Sequence, residues 1–554
     1  MSDSDPRSDT SPRIYLLDRD VSRRGFLAGA AAVGLGAVSL GSVLEACSPG
    51  GQTPGTGKGG TLVYGMELEV TPPLDAHIAL AQGGAGFRVN FPMYEGLYGF
   101  DLHKGDTEPP IIPILAESWT RSNDGKTWTW KLRDGVKFHD GSAWNADAAI
   151  FNFRRIYDKS FQHYYPLANG YASLFMPGPV QLEKVDNLTF RTITQRARPL
   201  DEELLFTLMV SPKAVMEKGN DRMALEPVGT GPFIFKELVP NQKVVMTPNP
   251  DYWGTKALLD QLVFRPIPDA NQRVTALRTG EVNMTIVLPP DSLQPLRNDG
   301  FQVLMKQFPH SWCEHLNCRS GATTDKRVRQ AINYAMDTKS LSNDILKGSA
   351  TPALQVATEG SVYYDTSIQP YEFNPTKAKQ LLADAGYSKG LDAEWWVPTN
   401  GSGEMLPVPM TEFLQSNLRE SGINIKIKTF EWGAYLNEFF KGCPNHVGSM
   451  QQSWGLWGST WWGILFGKVG WPPQGIGNVG FYDNPQVDAL YDQALGAPLE
   501  ERINLSKQIQ RTVMDDAAWG FVVHDLAPKG LSPKVHGFVN THSWFWAFDN
   551  VWVG

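Results

Sequence analysis

The stretch Trp128-Thr-Trp-Lys-Leu-Arg-Asp-Gly-Val-Lys-Phe-His-Asp-Gly141 decides the fold of this chain. Apolar and polar residues alternate as far as Leu132, which is typical of a strand with one buried face, and Arg133-Asp-Gly135 then supplies a turn. We therefore predict a two-stranded ribbon within residues 119–147. The apolar residues of 147–156 recur at helical spacing, so a helix is expected directly after the ribbon.

Strands and helices continue to mix along the rest of the chain, without an internal repeat. The patterns predict strands at 61–64, 180–193 and 233–246, and helices at 270–279, 328–336 and 376–385. Irregular mixing of this kind is typical of an α/β or α+β protein. A chain of 554 residues is too long for a single core, so at least two lobes are expected.

The N-terminus carries an export address. Ser22-Arg-Arg-Gly-Phe-Leu27 precedes an apolar run that ends in Leu44-Glu-Ala-Cys47. A twin arginine before such a run predicts twin-arginine export, and Cys47 resembles the lipidated first residue of a bacterial lipoprotein, although Glu45 is unusual there. We predict a signal peptide at 1–46 and a flexible Gly/Pro/Thr-rich tether at 47–60. Alternatively, 25–44 is an uncleaved membrane helix.

Composition excludes several functions. The formal net charge is -8, and Lys and Arg are dispersed rather than clustered, so nucleic acid is not an expected partner. No apolar run beyond Cys47 reaches membrane-spanning length. Eighteen Trp residues indicate either large aromatic cores or a stacking pocket for a ligand.

Seven stretches, taken in their order along the chain, resemble the dipeptide/oligopeptide-binding family of ABC-importer solute-binding proteins, family 5. They are Pro113-Ile-Leu-Ala-Glu-Ser-Trp119, the Trp128 to Gly141 stretch, Pro227-Val-Gly-Thr-Gly-Pro-Phe233, Asn249-Pro-Asp-Tyr-Trp-Gly254, Asp325-Lys-Arg-Val-Arg-Gln-Ala331, Asn374-Pro-Thr-Lys-Ala-Lys-Gln-Leu-Leu382 and Tyr482-Asp-Asn-Pro-Gln-Val-Asp488. The resemblance implies a two-lobed α/β fold of the periplasmic-binding-protein type II kind, with an extra subdomain in lobe one and a hinge between the lobes. Mapped onto that plan, lobe one covers 60–308 plus 521–554, and lobe two covers 309–520.

The resemblance also implies the partners of the protein. A monomeric receptor would capture a small-molecule solute between its lobes and deliver it to ABC permease and ATPase subunits. It would need no cofactor. The lipid at Cys47 would hold it at the outer face of the cytoplasmic membrane, in the periplasm or cell envelope.

One segment departs from the family pattern. Peptide-binding members resemble one another in a Trp-x-x-Asp segment, often continuing to Asp-Pro, whose first acid meets the ammonium group of the peptide. The matching stretch here is Gln451-Gln-Ser-Trp-Gly-Leu-Trp-Gly-Ser-Thr-Trp-Trp462. Trp454 matches, but Trp457 stands in place of the acid and Thr460-Trp461 replaces Asp-Pro. The carboxylate anchor is therefore missing.

Flat aromatic surface with a few hydroxyl or amide groups suits a sugar ring. We therefore expect a neutral polar solute, most readily an oligosaccharide or a sugar-like compound, bound by Trp457, Trp454, Thr460, Trp461, Trp462, Trp396 and Asn478. The alternative for these Trp residues is that they fill the core of lobe two. Alternative functions are an oligopeptide receptor that recognises the peptide backbone, a cell-surface enzyme acting on glycans, and a lipoprotein that has lost transport.

A Cys/His-rich segment, His310-Ser-Trp-Cys-Glu-His-Leu-Asn-Cys318, superficially resembles a metal cluster. On a strand, however, Cys313 and His315 share one face and His310 and Cys318 point the other way, so no metal site is expected. One disulfide among Cys313, Cys318 and Cys443 is plausible outside the cytoplasm, without a preferred pairing. No catalytic motif is recognisable, and we expect a binding protein rather than an enzyme.

Overall fold

The computed structural model describes residues 59–68, 73–173, 178–179, 181–307, 309–403 and 405–554. The predicted signal peptide, Cys47 and most of the predicted tether lie outside the described residues. Within those ranges, no helix combines the length and apolar character needed to cross a bilayer.

The strands of the described chain fall into sheets of seven, six, four, two and two strands. They are β1 (Thr61–Met66), β2 (Tyr98–Phe100), β3 (Ile111–Pro113), β4 (Ala116–Arg121), β5 (Thr127–Leu132), β6 (Gln181–Lys184), β7 (Thr189–Ile193), β8 (Phe233–Val239), β9 (Lys243–Pro248), β10 (Gln261–Pro266), β11 (Met284–Ile286), β12 (Gln302–Leu304), β13 (His310–Leu316), β14 (Ala350–Pro352), β15 (Leu391–Pro398), β16 (Ile423–Phe430), β17 (Ser449–Gly455), β18 (Trp519–Asp525), β19 (Lys529–Leu531), β20 (Val535–His536) and β21 (Trp552–Val553).

The α-helices of the described chain are interspersed with these strands along the sequence. They are α1 (Gly83–Asn90), α2 (Ala146–Tyr157), α3 (Pro166–Ala172), α4 (Leu200–Glu203), α5 (Pro212–Lys218), α6 (Asn220–Met223), α7 (Ala270–Thr279), α8 (Leu293–Asn298), α9 (Lys326–Ala335), α10 (Thr338–Ser340), α11 (Pro375–Asp384), α12 (Pro407–Glu420), α13 (Trp432–Phe439), α14 (Thr460–Phe466), α15 (Pro485–Gly496) and α16 (Leu499–Asp515).

Two large mixed sheets organise the chain. The first has the order β12-β19-β11-β1-β10-β9-β8, and the second has the order β14-β18-β13-β17-β15-β16. The chain passes from the first sheet to the second between β12 and β13, and returns between β18 and β19. This arrangement confirms the predicted α/β fold with two parts. The lobe boundaries remain a proposal, and because residue 521 lies inside β18 we now place the return at 526–528.

The predicted ribbon is wrong in one respect. β5 forms as expected, but it pairs with β4 on one side and β7 on the other, in a four-stranded sheet β4-β5-β7-β6. After the turn at Gly135 the chain does not form a strand. Val136 and Phe138 are buried, and the backbone nitrogen of His139 bonds to the carbonyl of Gly229, so tertiary contacts hold this segment beside the Gly-Thr-Gly turn.

The helix predictions are confirmed closely. α2 begins after Asn145, whose side chain accepts a hydrogen bond from the backbone of Ala148. α7 ends at Gly280, which adopts a left-handed conformation with φ of 77°. The predicted strands at 180–193 and 233–246 are each two antiparallel strands, β6 with β7 and β8 with β9.

Candidate solute-binding site

Trp457 lies where the two parts of the chain meet. It follows β17 of the second sheet and packs against the core clusters of both parts. Its ring lies 5.4 Å from Phe206, 5.8 Å from Trp544 and 6.2 Å from Phe545, which all belong to the first-sheet side, and 5.2 Å from Trp461 on its own side. We call Trp457, Trp461, Phe206, Trp544 and Phe545 the junction cluster. The side chain of Trp457 remains partly exposed.

Two glycines shape the turn that presents Trp457. A Cβ atom at Gly455 would lie 2.5 Å from the Trp457 ring, so only glycine lets the indole fold back over the end of β17. Gly458 has a φ of 142° and its missing Cβ would meet Glu202 at 3.0 Å. Gly455 therefore leaves room for the indole, and Gly458 lets the turn approach Glu202.

A buried polar contact joins the two sides directly beside this turn. One carboxylate oxygen of Glu202 accepts hydrogen bonds from the backbone nitrogen and the hydroxyl of Ser459, at 2.8 and 2.6 Å. Arg502 donates to Asp201 at 2.9 Å and to the other oxygen of Glu202 at 3.2 Å. Burial raises the pKa of Glu202, and the opposing effect of Arg502 limits that rise.

A charged pair borders the junction cluster. The Arg88 guanidinium lies 5.6 Å from the Trp544 ring and 5.4 Å from the Trp546 ring, and it forms an ion pair of 3.2 Å with Glu67. His310, at the start of β13, lies 4.6 Å from the ring of Trp544. The aromatic surface is therefore flanked by cationic and polar groups that are themselves partnered.

Three further predicted residues lie in the same segment as Trp457, and one of them contacts it directly. Trp461 contacts both Trp457 and Trp454, and Thr460 is buried at the start of α14. The indole nitrogen of Trp454 donates to Nε2 of His315 at 3.0 Å. Trp454 and Trp461 therefore support Trp457 from the second-sheet side.

Three other predicted residues do not reach the junction cluster. Trp462 is fully buried against Tyr363 and Phe466. Trp396 donates to Glu394 at 2.8 Å, and the Asn478 amide bonds only to backbone atoms of Gly467 and Tyr482. For these residues the core-filling alternative describes the contacts better, because Trp462 packs on rings of the second-sheet part and the polar side-chain atoms of Trp396 and Asn478 bond within that part.

Sequence reasoning missed the first-sheet half of the junction. Phe206 lies just after α4, and Trp544 and Phe545 belong to the run Ser543-Trp-Phe-Trp546 near the C-terminus. The concentration of three aromatic residues in that run was the available signal. For Glu202 the sequence carried no such signal, because its contact is with Ser459, which lies 257 positions away in the chain.

The Cys/His segment forms a strand, as predicted. Cys313 Sγ lies 3.8 Å from His315 Nε2 on one face, and burial lowers the pKa of His315 to about 3, so the ring is neutral and can accept from Trp454. The expected disulfide is wrong: all three cysteines of the described chain are free thiols. Each thiol lies within 3.5 Å of a backbone carbonyl, those of Gln452, Leu316 and Val447 for Cys313, Cys318 and Cys443.

The chain matches the model of one protein family and is similar to proteins of known name. The model of bacterial extracellular solute-binding proteins, family 5 Middle, matches residues 110–466. Heme-binding protein A of Haemophilus influenzae is 30% identical over 481 residues, covering 82% of this chain and 86% of that protein. Glutathione-binding protein GsiB of Pectobacterium atrosepticum is 29% identical over 521 residues, covering 89% of this chain and 94% of that protein.

Solved structures agree with the fold. The periplasmic binding protein DppA of Helicobacter pylori, in complex with the peptide STSA, superposes with a TM-score of 0.75 at 26% identity, covering 90% of this chain and 99% of that one. HbpA2 of Haemophilus parasuis gives a TM-score of 0.74 at 25% identity, covering 89% and 100%. The chain belongs to family 5 of the bacterial extracellular solute-binding proteins, and it serves an ABC importer.

Proposed function

We propose that this receptor binds a peptide or a peptide-like compound at the junction cluster, without a carboxylate anchor for the amino end of the solute. One observation carries the proposal: Trp457, in place of the family acid, meets aromatic rings from both sides of the junction. A solute held there would contact both parts at once, which is how binding favours the closed form.

The named relatives favour a peptide over a sugar. They are proteins described as binding heme, glutathione and a peptide, and none of these is an oligosaccharide. The oligosaccharide expectation therefore has no support, and the oligopeptide alternative replaces it. The proposed binding residues are Trp457, Trp461 and Trp454 on the second-sheet side, and Phe206, Trp544 and Phe545 on the first-sheet side.

A free donor supports recognition of the peptide backbone. The indole nitrogen of Trp457 is buried and has no hydrogen-bond partner among the described residues. A buried donor without a partner costs stability, and a carbonyl oxygen of a bound solute would satisfy it. Peptide carbonyls are the acceptors that every peptide supplies, whatever its sequence.

A glycan-acting enzyme is not favoured. Glycoside hydrolysis needs two carboxyl groups that face each other across the substrate. Two acids beside the Trp457 turn, Asp201 and Glu202, come from the same short helix and both contact Arg502. Membership of a family of binding proteins supports the same conclusion.

A ligand panel tests the proposal. Short peptides, glutathione, heme and oligosaccharides are titrated by calorimetry and by intrinsic tryptophan fluorescence. We expect binding in the peptide group, and an affinity lower by about 10-fold or more in Trp457→Ala. The matched control is Trp552→Ala, because Trp552 is also partly exposed but stacks only on His536 in the described chain. Binding of oligosaccharides alone, or equal affinity in both variants, would contradict the proposal.

The attachment to the membrane is a second proposal, supported by the N-terminal sequence. Twin-arginine export would deliver a folded receptor, and a lipid at Cys47 would hold it near its permease. Cell fractionation tests both steps. We expect Cys47→Ser to release the protein from the membrane fraction, and replacement of Arg23 and Arg24 by Lys to retain it in the cytoplasm. A Cys47→Ser protein that stays in the membrane would instead favour the uncleaved helix.

A further inference from the structure

A cavity of about 150 Å³ lies on the first-sheet side of the protein, and its lining includes no residue of the junction cluster. Its lining residues come from 91–114, 205–233, 252 and 546–549. None of them belongs to the second-sheet part, so the cavity does not depend on contact between the two parts. The walls are mainly apolar and aromatic, with Phe91, Phe100, Leu102, Ile114, Trp546 and Phe548 among them.

The charged groups in the walls are already paired. Glu95 accepts hydrogen bonds from the hydroxyl of Tyr252 at 2.7 Å and from the indole nitrogen of Trp253 at 3.0 Å. Burial raises the pKa of Glu95 to about 7. His103 contacts Asp549 at 2.9 Å. A charged ligand would disturb these contacts, so the cavity favours a neutral one.

One lining residue, Trp546, has a buried polar atom without a partner among the described residues. Trp546 is only 4% exposed, and its indole nitrogen has no hydrogen-bond partner in the part of the chain that the structure describes. The faces of the ring are occupied by Arg88 and Lys529, 5.4 and 5.1 Å from its centre. The ring is therefore held in place while its N–H group is unused, and a buried N–H normally has an acceptor.

We propose that this cavity is a second binding site, for a neutral aromatic ring of about the size of benzene that carries one hydrogen-bond acceptor for Trp546. An apolar protein cavity of about 150 Å³ is large enough to bind benzene. The aromatic walls supply the contact area, and the Trp546 N–H supplies the orientation.

The cavity lies close behind the junction cluster. Phe91 lines the cavity and its ring lies 4.5 Å from Phe545, which in turn lies 6.2 Å from Trp457. The aromatic ring bound in the cavity could therefore belong to a side chain of the transported solute or to a separate small molecule. Only the first of these possibilities rests on the proposed function. The chemistry required of the ring is the same in both cases.

Phenol and toluene are the probes for this site, since they match in size and differ in the acceptor. Each is titrated into the mature protein by calorimetry, and crystals are soaked in phenol. We expect phenol to occupy the cavity and to bind about 2- to 10-fold more tightly than toluene, the range of one hydrogen bond. Trp546→Phe keeps a ring and should abolish this difference. Ile114→Trp should fill the cavity and abolish binding of both probes.

The phenol and toluene titrations distinguish a binding site from an unused cavity, and a solute side chain from a separate ligand. Absence of phenol binding to the wild-type protein, equal binding of phenol and toluene, or unchanged binding in Ile114→Trp would each overturn the proposal. Competition between phenol and a saturating peptide would identify the ring as part of the solute, and independent binding would identify a separate ligand. Phenol binding in a protein that binds no peptide would uphold this site while the proposed function failed.

Discussion

Glu202 and Ser459 form a buried contact between the two parts of the chain, two residues beyond Trp457. Both the backbone nitrogen and the hydroxyl of Ser459 donate to a single carboxylate oxygen, at 2.8 and 2.6 Å. The turn that carries Trp457 is therefore also tied to the first-sheet side. Engagement of a solute by Trp457 and closure of the protein are expected to occur together.

Removal of the Ser459 hydroxyl should weaken closure. Hydrogen bonds to charged groups contribute about 1.5–3 kcal/mol, so Ser459→Ala should lower solute affinity by about 10-fold or more. Arg196→Gln is the matched control, because its ion pair with Asp492 leaves the two side chains 58% and 69% exposed. Such exposed pairs contribute about 0–1 kcal/mol. Calorimetry that gives equal losses for the two variants would show that the buried contact has no special role.

Replacement of Trp457 by an acid should change what the receptor recognises. Trp457→Asp restores the residue type that this position has in the peptide-binding pattern, and its carboxylate can pair with an ammonium group. We expect this variant to prefer a peptide with a free amino terminus over its acetylated form by about 10-fold or more. Trp457→Asn has nearly the same shape without the charge and should show no preference. A preference shared by both variants would contradict the role given to the charge.

Individual strands and helices are predictable from the sequence because they depend on local patterns, whereas the two-lobed plan is what the family resemblance implies. Alternation in β5, the Asn145 cap of α2 and the Gly280 end of α7 each act within a few residues, and each is visible in the sequence. The partner of β5 was not predictable in this way. β4 and β7 occupy the two edges of β5, so no edge is left for the residues after Gly135. In that segment the side chains of Val136 and Phe138 are buried instead.

The site was predictable only on one side. Trp457, Trp454 and Trp461 come from one segment, and comparison with the family pattern singled them out. Phe206 and Phe545 reach Trp457 through the tertiary fold, from positions far apart in the chain. Asn478 illustrates the opposite error, because an amide near aromatic residues in the sequence is fully used by the backbone of its own loop.

A buried acid in β13 should make the protein less stable as the pH rises. Burial raises the pKa of Glu314 to about 8, and Ser449 is its hydrogen-bond donor. Between pH 4.5 and about 8 the folded state retains this proton while the unfolded state has lost it. Stability therefore falls across this range by up to about 1.4 kcal/mol per pH unit from this group.

The variant Glu314→Gln tests this effect. It removes the titration and keeps a group that can bond to Ser449, so its melting temperature should exceed that of the wild type increasingly from pH 5 to pH 8. Thermal unfolding across this range measures the difference. A gap between the two melting temperatures that does not change with pH would show that Glu314 does not titrate in this range.

The three cysteine thiols of the described chain should be reduced but slow to react with an alkylating reagent. Cys313 and Cys443 are buried, and burial raises the pKa of Cys318 to about 11 and that of Cys443 to about 12. In mature protein without reductant, we expect slow alkylation in the folded state and three reactive thiols after unfolding, apart from Cys47. Mass spectrometry counts the labels. One label instead of three would reveal a disulfide.

The most direct measurement compares one peptide in two forms, with a free and with an acetylated amino terminus, by calorimetry on the wild-type receptor. A site with Trp457 in place of the acid should bind both forms with affinities within about 3-fold, since no carboxylate pairs with the amino group. A loss of about 10-fold or more on acetylation would contradict the account, because it would show that the amino group is held by a charge that the junction cluster does not supply.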